Sequence, residues 1–213
     1  MSGRIDLTAD GSKTVYSERF GEHYHSKFGA INEAMHVFIG AGYLEIPAKE
    51  VVSVLEIGFG TGLNALLTLQ YAEKLRQFTY YETIELFPVE EIIVREFSDD
   101  ENFQKLHSAA WESLVEITPY FNLHKRQSDL LRTVFSRSYD VVYFDAFSPT
   151  TQPEMWSREV FMNLYSAMTP GAIMTTYCAK SDVRRCLQSI GFEVERMKGP
   201  PSGKREMLRA RKL

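Results

Sequence analysis

Two cysteines are all this sequence has, which excludes a disulfide framework. Cys178 and Cys186 lie eight apart in no metal-ligand pattern, so reduced thiols are expected. His23 and His25 flank Tyr24 as a possible ligand pair, but no Cys/His/Asp set completes it, so no metal is expected. No apolar run approaches the ~20 residues that cross a bilayer. The start, MSGRIDLTADG, has no apolar signal core, so the expectation is a cytoplasmic protein with no membrane partner. No G-x-S-x-G or Ser-His-Asp set can be argued. Repeats and low-complexity tracts are also missing. Positive charge is in slight deficit, 24 Lys/Arg against 28 Asp/Glu, which argues against a large nucleic-acid surface. The deficit is uneven. Residues 180–213 hold ten Lys/Arg and four Asp/Glu, a net of +6 on a body of −10. That segment is either a docking face for an anionic partner or a solvated helix face with a basic tail.

The most informative stretch is VVSVLEIGFGTGLN, residues 51–64. An apolar run carries Glu56 two positions before Gly58, and Gly60 and Gly62 follow at alternate places. Glycines let the backbone turn sharply and approach a ligand closely. A dinucleotide site asks for G-x-G-x-x-G, with a pyrophosphate on the helix amino terminus. Here the spacing is G-x-G-x-G with an acid upstream. A carboxylate repels pyrophosphate and suits a cationic amino-acid moiety, so the motif favours S-adenosyl-L-methionine. Glu56, Gly58, Gly60, Gly62 and Asn64 are its candidate cofactor residues. The plainer alternative is a tight strand-to-helix turn without a ligand.

Residues 1–50 read as a small extension. Segments 5–8 and 14–17 flank an Asp10-Gly11 turn signal, and 29–38 has helical spacing. From 51 to 213 strand and helix signals alternate. Strands are expected over 51–57, 78–84, 121–125, 139–144, 172–176, 192–198 and 205–210. Helices are expected over 63–75, after Pro88 in a first helical turn, over 157–168 and over 182–190. The last two strands are too close for a crossover helix and should pair antiparallel. The fold class is α/β, a doubly wound Rossmann-like sheet with a terminal antiparallel hairpin and a small amino-terminal extension.

Ligands in such sheets bind beyond the carboxyl ends of the strands. Glu85, after the second strand, can accept from ribose hydroxyls; Glu82 is its rival. Ser128 and Asp129 follow the third strand. Asp129 suits an adenine amino group or, equally, the cap of a short helix. Asp145 ends the apolar run YDVVYF and is the first candidate for chemistry, holding and orienting an amine. It could also bind only the cofactor's amino group or cap a turn. The loop FSPTTQPEMW offers Phe147 and Trp156 for stacking on a planar group, although a lone Trp is often core.

Six segments carry a resemblance: YSERFGEHYHSKFGAINEAMHVFI, LEIGFGTGLN, IELFPVE, DVVYFDAFSPTTQPEMW, VRRCLQSIGF and GPPSGKREML. From about Tyr16 onward the chain resembles the methyltransferase half of the MnmC family of tRNA 5-methylaminomethyl-2-thiouridine biosynthesis proteins. It is more similar still to stand-alone versions without the FAD-dependent oxidase half. The resemblance implies a class I methyltransferase sheet. It implies methyl transfer from S-adenosyl-L-methionine to the exocyclic amine of 5-aminomethyl-(2-thio)uridine at the tRNA wobble position. It implies that Glu85 meets ribose, Asp129 adenine, and Asp145 the methionine and acceptor amines. Tyr24, Ser26 and Glu33 would sit at the pocket mouth, with Lys204 and Arg205 on a basic strand facing substrate. Ala146 departs from a frequent Gly. No segment matches the oxidase half, so a separate enzyme is expected to supply the aminomethyl-uridine. The rivals are a methyl- or aminopropyl-transferase acting on a small amine, and a non-catalytic RNA-binding relative.

Overall fold

The computed structural model describes residues 3–201 and 206–213. The first hairpin forms as its turn signal indicates, with β1 (Gly3–Leu7) antiparallel to β2 (Lys13–Ser17). A two-residue strand absent from the sequence reading, β3 (Glu22–His23), pairs with β2. The helical segment is α1 (Ala30–Ala34), continued by a wider π-helical turn, Met35–Gly40. Its buried face, with Val37, Phe38 and Ile39, joins the same core cluster as the helix after the glycine loop. Residues 30–41 are therefore packed into the main body.

The main sheet runs through β4 (Val52–Ile57), α2 (Leu63–Leu75), β5 (Thr79–Ile84), α3 (Glu91–Phe97), α4 (Glu101–Ser108), β6 (Leu114–Thr118), β7 (Phe121–Arg126) and β8 (Tyr139–Phe144). It continues with α5 (Arg158–Ala167), β9 (Met168–Thr176), α6 (Ser181–Ile190), β10 (Phe192–Lys198) and β11 (Glu206–Lys212). The strand order is β10-β11-β9-β8-β4-β5-β7-β6. Pairs β8–β9, β4–β8, β4–β5 and β5–β7 are parallel; β6 and the terminal hairpin are antiparallel. The chain leaves β4 in one direction to β5 and β7, then returns to β8 on its other side. That reversal between β4 and β8 is the switch point at which such sheets open a crevice.

The central strands are apolar on both faces because both are covered. Val141 and Tyr143 of β8 pack with α2, while Tyr139, Val142 and Phe144 pack with α5 and α6. Three expectations need correction. Strand β6 was not anticipated; LVEIT is largely exposed at an edge, so it lacks the apolar run of a central strand. Pro88 is not in the first turn of α3. Glu90 is extended and caps that helix, leaving Pro88 in the loop before it. Strand β9 begins at Met168 and passes through Pro170-Gly171 with a register shift, whereas those residues were expected to separate helix from strand.

Candidate active site

A cavity of about 660 Å³ opens at the carboxyl ends of β4, β5, β7 and β8. That is within the usual range for small-molecule sites. Its lining holds six carboxylates among the described residues, Glu22, Glu33, Glu85, Asp129, Asp145 and Glu154, against one arginine, Arg19. Such a balance suits cationic ligands.

The glycine loop forms the wall after β4. Gly58 has φ 91° and Gly60 φ 50°, both in the left-handed range. A Cβ on Gly58 would lie 2.9 Å from the Asp145 carbonyl oxygen, and one on Gly60 would lie 2.7 Å from the Tyr24 ring. These two glycines let the loops after β4 and β8 close together and let the amino-terminal segment lie on top. Gly62 caps α2 from a left-handed conformation and does not line the cavity.

Two histidines hold the loop at Thr61, one through its side chain and one through its carbonyl. His25 Nε2 and Thr61 Oγ1 are 2.7 Å apart, and His107 Nε2 donates to the Thr61 carbonyl at 3.0 Å. Burial pushes each histidine down to about 4, so both are neutral at pH 7. As pH falls below the ordinary value of about 6.5, the unfolded chain takes up these protons before the native one. Stability present above that value is therefore lost as pH approaches 4, by up to about 3 kcal/mol for each histidine. Denaturant unfolding of the native protein and of His107→Gln from pH 7 to pH 4 checks this. The native protein should lose its advantage over the variant across that range; a constant difference refutes it.

Beneath the loop, Glu56 is fully buried and is not on the cavity wall. Burial pushes its carboxyl well above the ordinary range, and the Asp145 charge adds to the shift. Thr83, Asn64 and Tyr81 surround it, yet neither carboxyl oxygen has a hydrogen-bond partner of good geometry among the described residues. Asn64 donates Nδ2 to Asp145 Oδ2 at 2.9 Å, while its own Oδ1 is buried without a partner. Unsatisfied buried acceptors are costly. Asn64, like Glu56, lies off the cavity wall, so the pair supports Asp145 from behind it.

After β5, Glu85 lines the cavity and accepts from Gly60 N at 3.2 Å and Phe87 N at 2.8 Å. Burial raises its carboxyl against those backbone bonds. Glu82 turns elsewhere, accepting from Tyr80 at 2.6 Å and Arg126 at 3.0 Å. After β7, Ser128 and Asp129 both line the cavity. Asp129 also caps the short helix Leu130–Arg132, accepting from Leu131 N at 3.0 Å, so the capping alternative is realised at one oxygen. After β8, Asp145 is fixed by Asn64 and by its own N–H to Ile57 O at 3.1 Å.

The amino-terminal segment supplies the roof. Tyr24, Ser26 and Glu33 reach the cavity, and Ser26 N donates to Glu33 at 3.2 Å. Phe147 lies there too, with ring centroids 4.5 Å from Phe20 and 5.1 Å from Tyr24. Trp156 requires a correction. It packs in the core against Phe144 and donates Nε1 to Phe147 O at 2.8 Å. It braces the loop and does not stack on a ligand, because its ring is enclosed by Phe144, Phe161 and Tyr177. Lys204 and Arg205 lie outside the described residues. Sequence reasoning missed Arg19, Phe20, Glu22, Phe87 and Tyr177 as cavity residues. Only the strand-tip rule could have flagged Tyr177, just after β9.

Residues 112–213 match the family model described as S-adenosyl-L-methionine-dependent methyltransferase. The match covers 102 of the 213 residues, just under half of the chain, and gives its carboxyl-terminal part the likeness of an S-adenosyl-L-methionine-dependent methyltransferase. Its cofactor is S-adenosyl-L-methionine, and the glycine loop and the Glu85 carboxylate on the cavity wall are compatible with that cation. The methyltransferase is similar to the tRNA 5-methylaminomethyl-2-thiouridine biosynthesis bifunctional protein MnmC of Delftia acidovorans. They are 32% identical over 99% of this chain and 35% of that protein. The chain thus spans about a third of the length of the curated relatives it matches, corresponding to their methyltransferase half. The structure of MnmC2 from Aquifex aeolicus superposes with a TM-score of 0.82 at 25% identity. That match covers 98% of this methyltransferase and 69% of the other chain. Spermidine synthase from Thermotoga maritima, at 14% identity and TM-score 0.58, covers 100% of this chain and 72% of its own, and shares the fold alone. Among the described residues, no helix is long and apolar enough to cross a membrane, and no group of three His, Cys, Asp or Glu could hold a metal.

Proposed function

We propose that this methyltransferase acts on tRNA, methylating the exocyclic amine of 5-aminomethyl-(2-thio)uridine at the wobble position. The observation that carries the reading is Asp145, held by Asn64 at the switch point of an acid-lined cavity. The similarity to the MnmC proteins over 99% of the chain supplies the acceptor class. In this reading residues 51–213 are the methyltransferase domain and residues 1–50 an extension that roofs its site. A tRNA substrate places the protein in the cytoplasm. A separate enzyme supplies the aminomethyl-uridine.

When bound, S-adenosyl-L-methionine supplies an electrophilic methyl group. The chain's own residues then have three tasks. Glu56, Gly58, Gly60, Gly62, Asn64, Glu85, Ser128, Asp129, Tyr24 and Glu33 form or support the donor side. Phe147, with Lys204 and Arg205, serves the tRNA side. Asp145 draws in the acceptor ammonium, orients the amine and stabilises its positive charge as it attacks. The acceptor is an alkylammonium at neutral pH and gives one proton to solvent water before the free amine attacks. An ordinary carboxylate near pKa 4 is a weak base, so positioning is the larger role.

The test is mass analysis of wobble uridines in tRNA from cells with and without the protein, joined to methylation of aminomethyl-uridine tRNA in vitro. Absence of the methylated nucleoside difference and of in vitro transfer would overturn the reading. The rival, a small-amine methyl- or aminopropyl-transferase, draws on the fold shared with spermidine synthase. tRNA binding weakens steeply with added salt through counterion release, whereas binding of a small amine does so far less.

A further inference from the structure

The loop that follows Asp145 has its own turn bonds, from Thr151 N and Gln152 N to Ser148 O, and is tied to the rest of the fold by groups from elsewhere in the chain. Glu22, in the two-residue strand β3, makes three of these outside ties. Its Oε1 accepts from Ser148 Oγ at 2.7 Å and from Thr151 Oγ1 at 2.5 Å; its Oε2 accepts from Ser148 N at 3.3 Å. Phe147 is covered by Phe20 and Tyr24, which flank Glu22 in sequence. On the far side Tyr177 donates to Ala146 O at 2.8 Å. The loop is therefore gripped between β3 and the end of β9. Its first residues carry Asp145, where the acceptor amine is proposed to sit. The donor loop has its own anchors on Thr61: His107 from α4, and His25 from the amino-terminal segment that also carries Glu22.

We propose that Glu22 is a positioning residue for methyl transfer, holding residues 146–151 through Ser148 and Thr151 so that Asp145 presents the acceptor in line. Its carboxylate is occupied by loop donors, so it acts through them and not on the acceptor. Misplacing a reacting group by about 1 Å can cost on the order of 100-fold in rate. The inference rests on the acceptor proposed above.

Charge is the competing explanation. The Tyr177 hydroxyl is pushed up by burial and then by Asp145, Cys178, Glu22 and Glu33, so Glu22 also adds negative field at this end of the cavity. Two variants separate the roles. Glu22→Gln removes the charge and weakens the bonds; Ser148→Ala with Thr151→Val keeps the charge and removes both hydroxyl donors. Three measurements apply to each variant: kcat and KM on aminomethyl-uridine tRNA, affinity for S-adenosylhomocysteine by calorimetry, and amide hydrogen exchange of the native chain. Each variant should lower kcat roughly 10- to 100-fold, with cofactor-product affinity within about threefold. Exchange at residues 147–152 should quicken while residues 58–62 stay protected. The triple variant should be little worse than Glu22→Gln, because all three groups belong to one network.

A kcat within about twofold of native for Glu22→Gln overturns the proposal. So does a fall in cofactor-product affinity matching the fall in kcat. Full kcat in the Ser148/Thr151 variant beside a loss in Glu22→Gln assigns the effect to charge and also overturns it. If the native protein transfers no methyl group to this tRNA, the acceptor reading fails separately. Glu22 is then judged by exchange alone, and unchanged exchange at 147–152 refutes its positioning role.

Discussion

Asp145→Ala should lower methyl transfer by roughly 10²- to 10⁴-fold while changing affinity for S-adenosylhomocysteine by less than about tenfold. The split follows from where Asp145 sits. The donor side keeps the glycine loop and Glu85, which hold their shape through Gly60 N, Phe87 N and the two histidines on Thr61. The acceptor side loses the carboxylate that Asn64 aims into the cavity. Asp145→Asn separates charge from shape. It keeps an oxygen where Asn64 donates but cannot draw in an ammonium, so it should stay within about tenfold of Asp145→Ala in rate. Steady-state kinetics with aminomethyl-uridine tRNA and calorimetry on the free enzyme make the check. A rate near that of the native enzyme in either variant would show that the amine is oriented by another group.

Gly58→Ala should unfold earlier and bind cofactor at least tenfold more weakly. A non-glycine residue in the left-handed region costs about 1–2 kcal/mol. Here the added Cβ also meets the Asp145 carbonyl oxygen at 2.9 Å, so the loops after β4 and β8 must part. A total of about 2–4 kcal/mol corresponds to a Tm lower by roughly 5–15 °C for a chain of this size. Gly11→Ala is the internal control. Gly11 has φ +80° but nothing within 4 Å of its would-be Cβ. It carries the backbone strain without the collision, so it should cost about 1 kcal/mol and leave cofactor affinity unchanged. Thermal melts with and without S-adenosylhomocysteine read both effects. Equal losses of affinity in the two variants would contradict the close-approach argument.

The sequence was most legible where one local signal and one tertiary environment agree. Helix α2 begins and ends at the residues its periodicity indicates, between the left-handed Gly62 and the left-handed Arg76. Strand β8 is apolar along its length because helices cover both faces, and its tip places Asp145 in the crevice. Glu85 lines the cavity because it is the first residue beyond the carboxyl end of β5, whereas Glu82 lies within the strand and is spent on an ion pair with Arg126. The roof was not legible. Glu22 and His23 form a strand of two residues, too short for any periodicity, and the loop hydroxyls that Glu22 holds lie more than a hundred positions away. Trp156 shows the opposite difficulty. Its neighbours in sequence look like a rim, but its indole donor is spent on Phe147 O and its ring on the core.

Strand β11 lies between β9 and β10, although β10 precedes it in the chain. During synthesis, β10 therefore emerges before the strand that joins it to β9. Until residues 206–212 arrive, the flank of β9 that carries Ile173 and Met174 has open backbone groups. An unpaired edge of that kind invites association with other chains. The walls of the cavity come from earlier strands, yet the sheet that supports them closes last, when Leu208 and Ala210 enter the core. A nascent chain that ends before residue 206 thus presents an unpaired edge on β9.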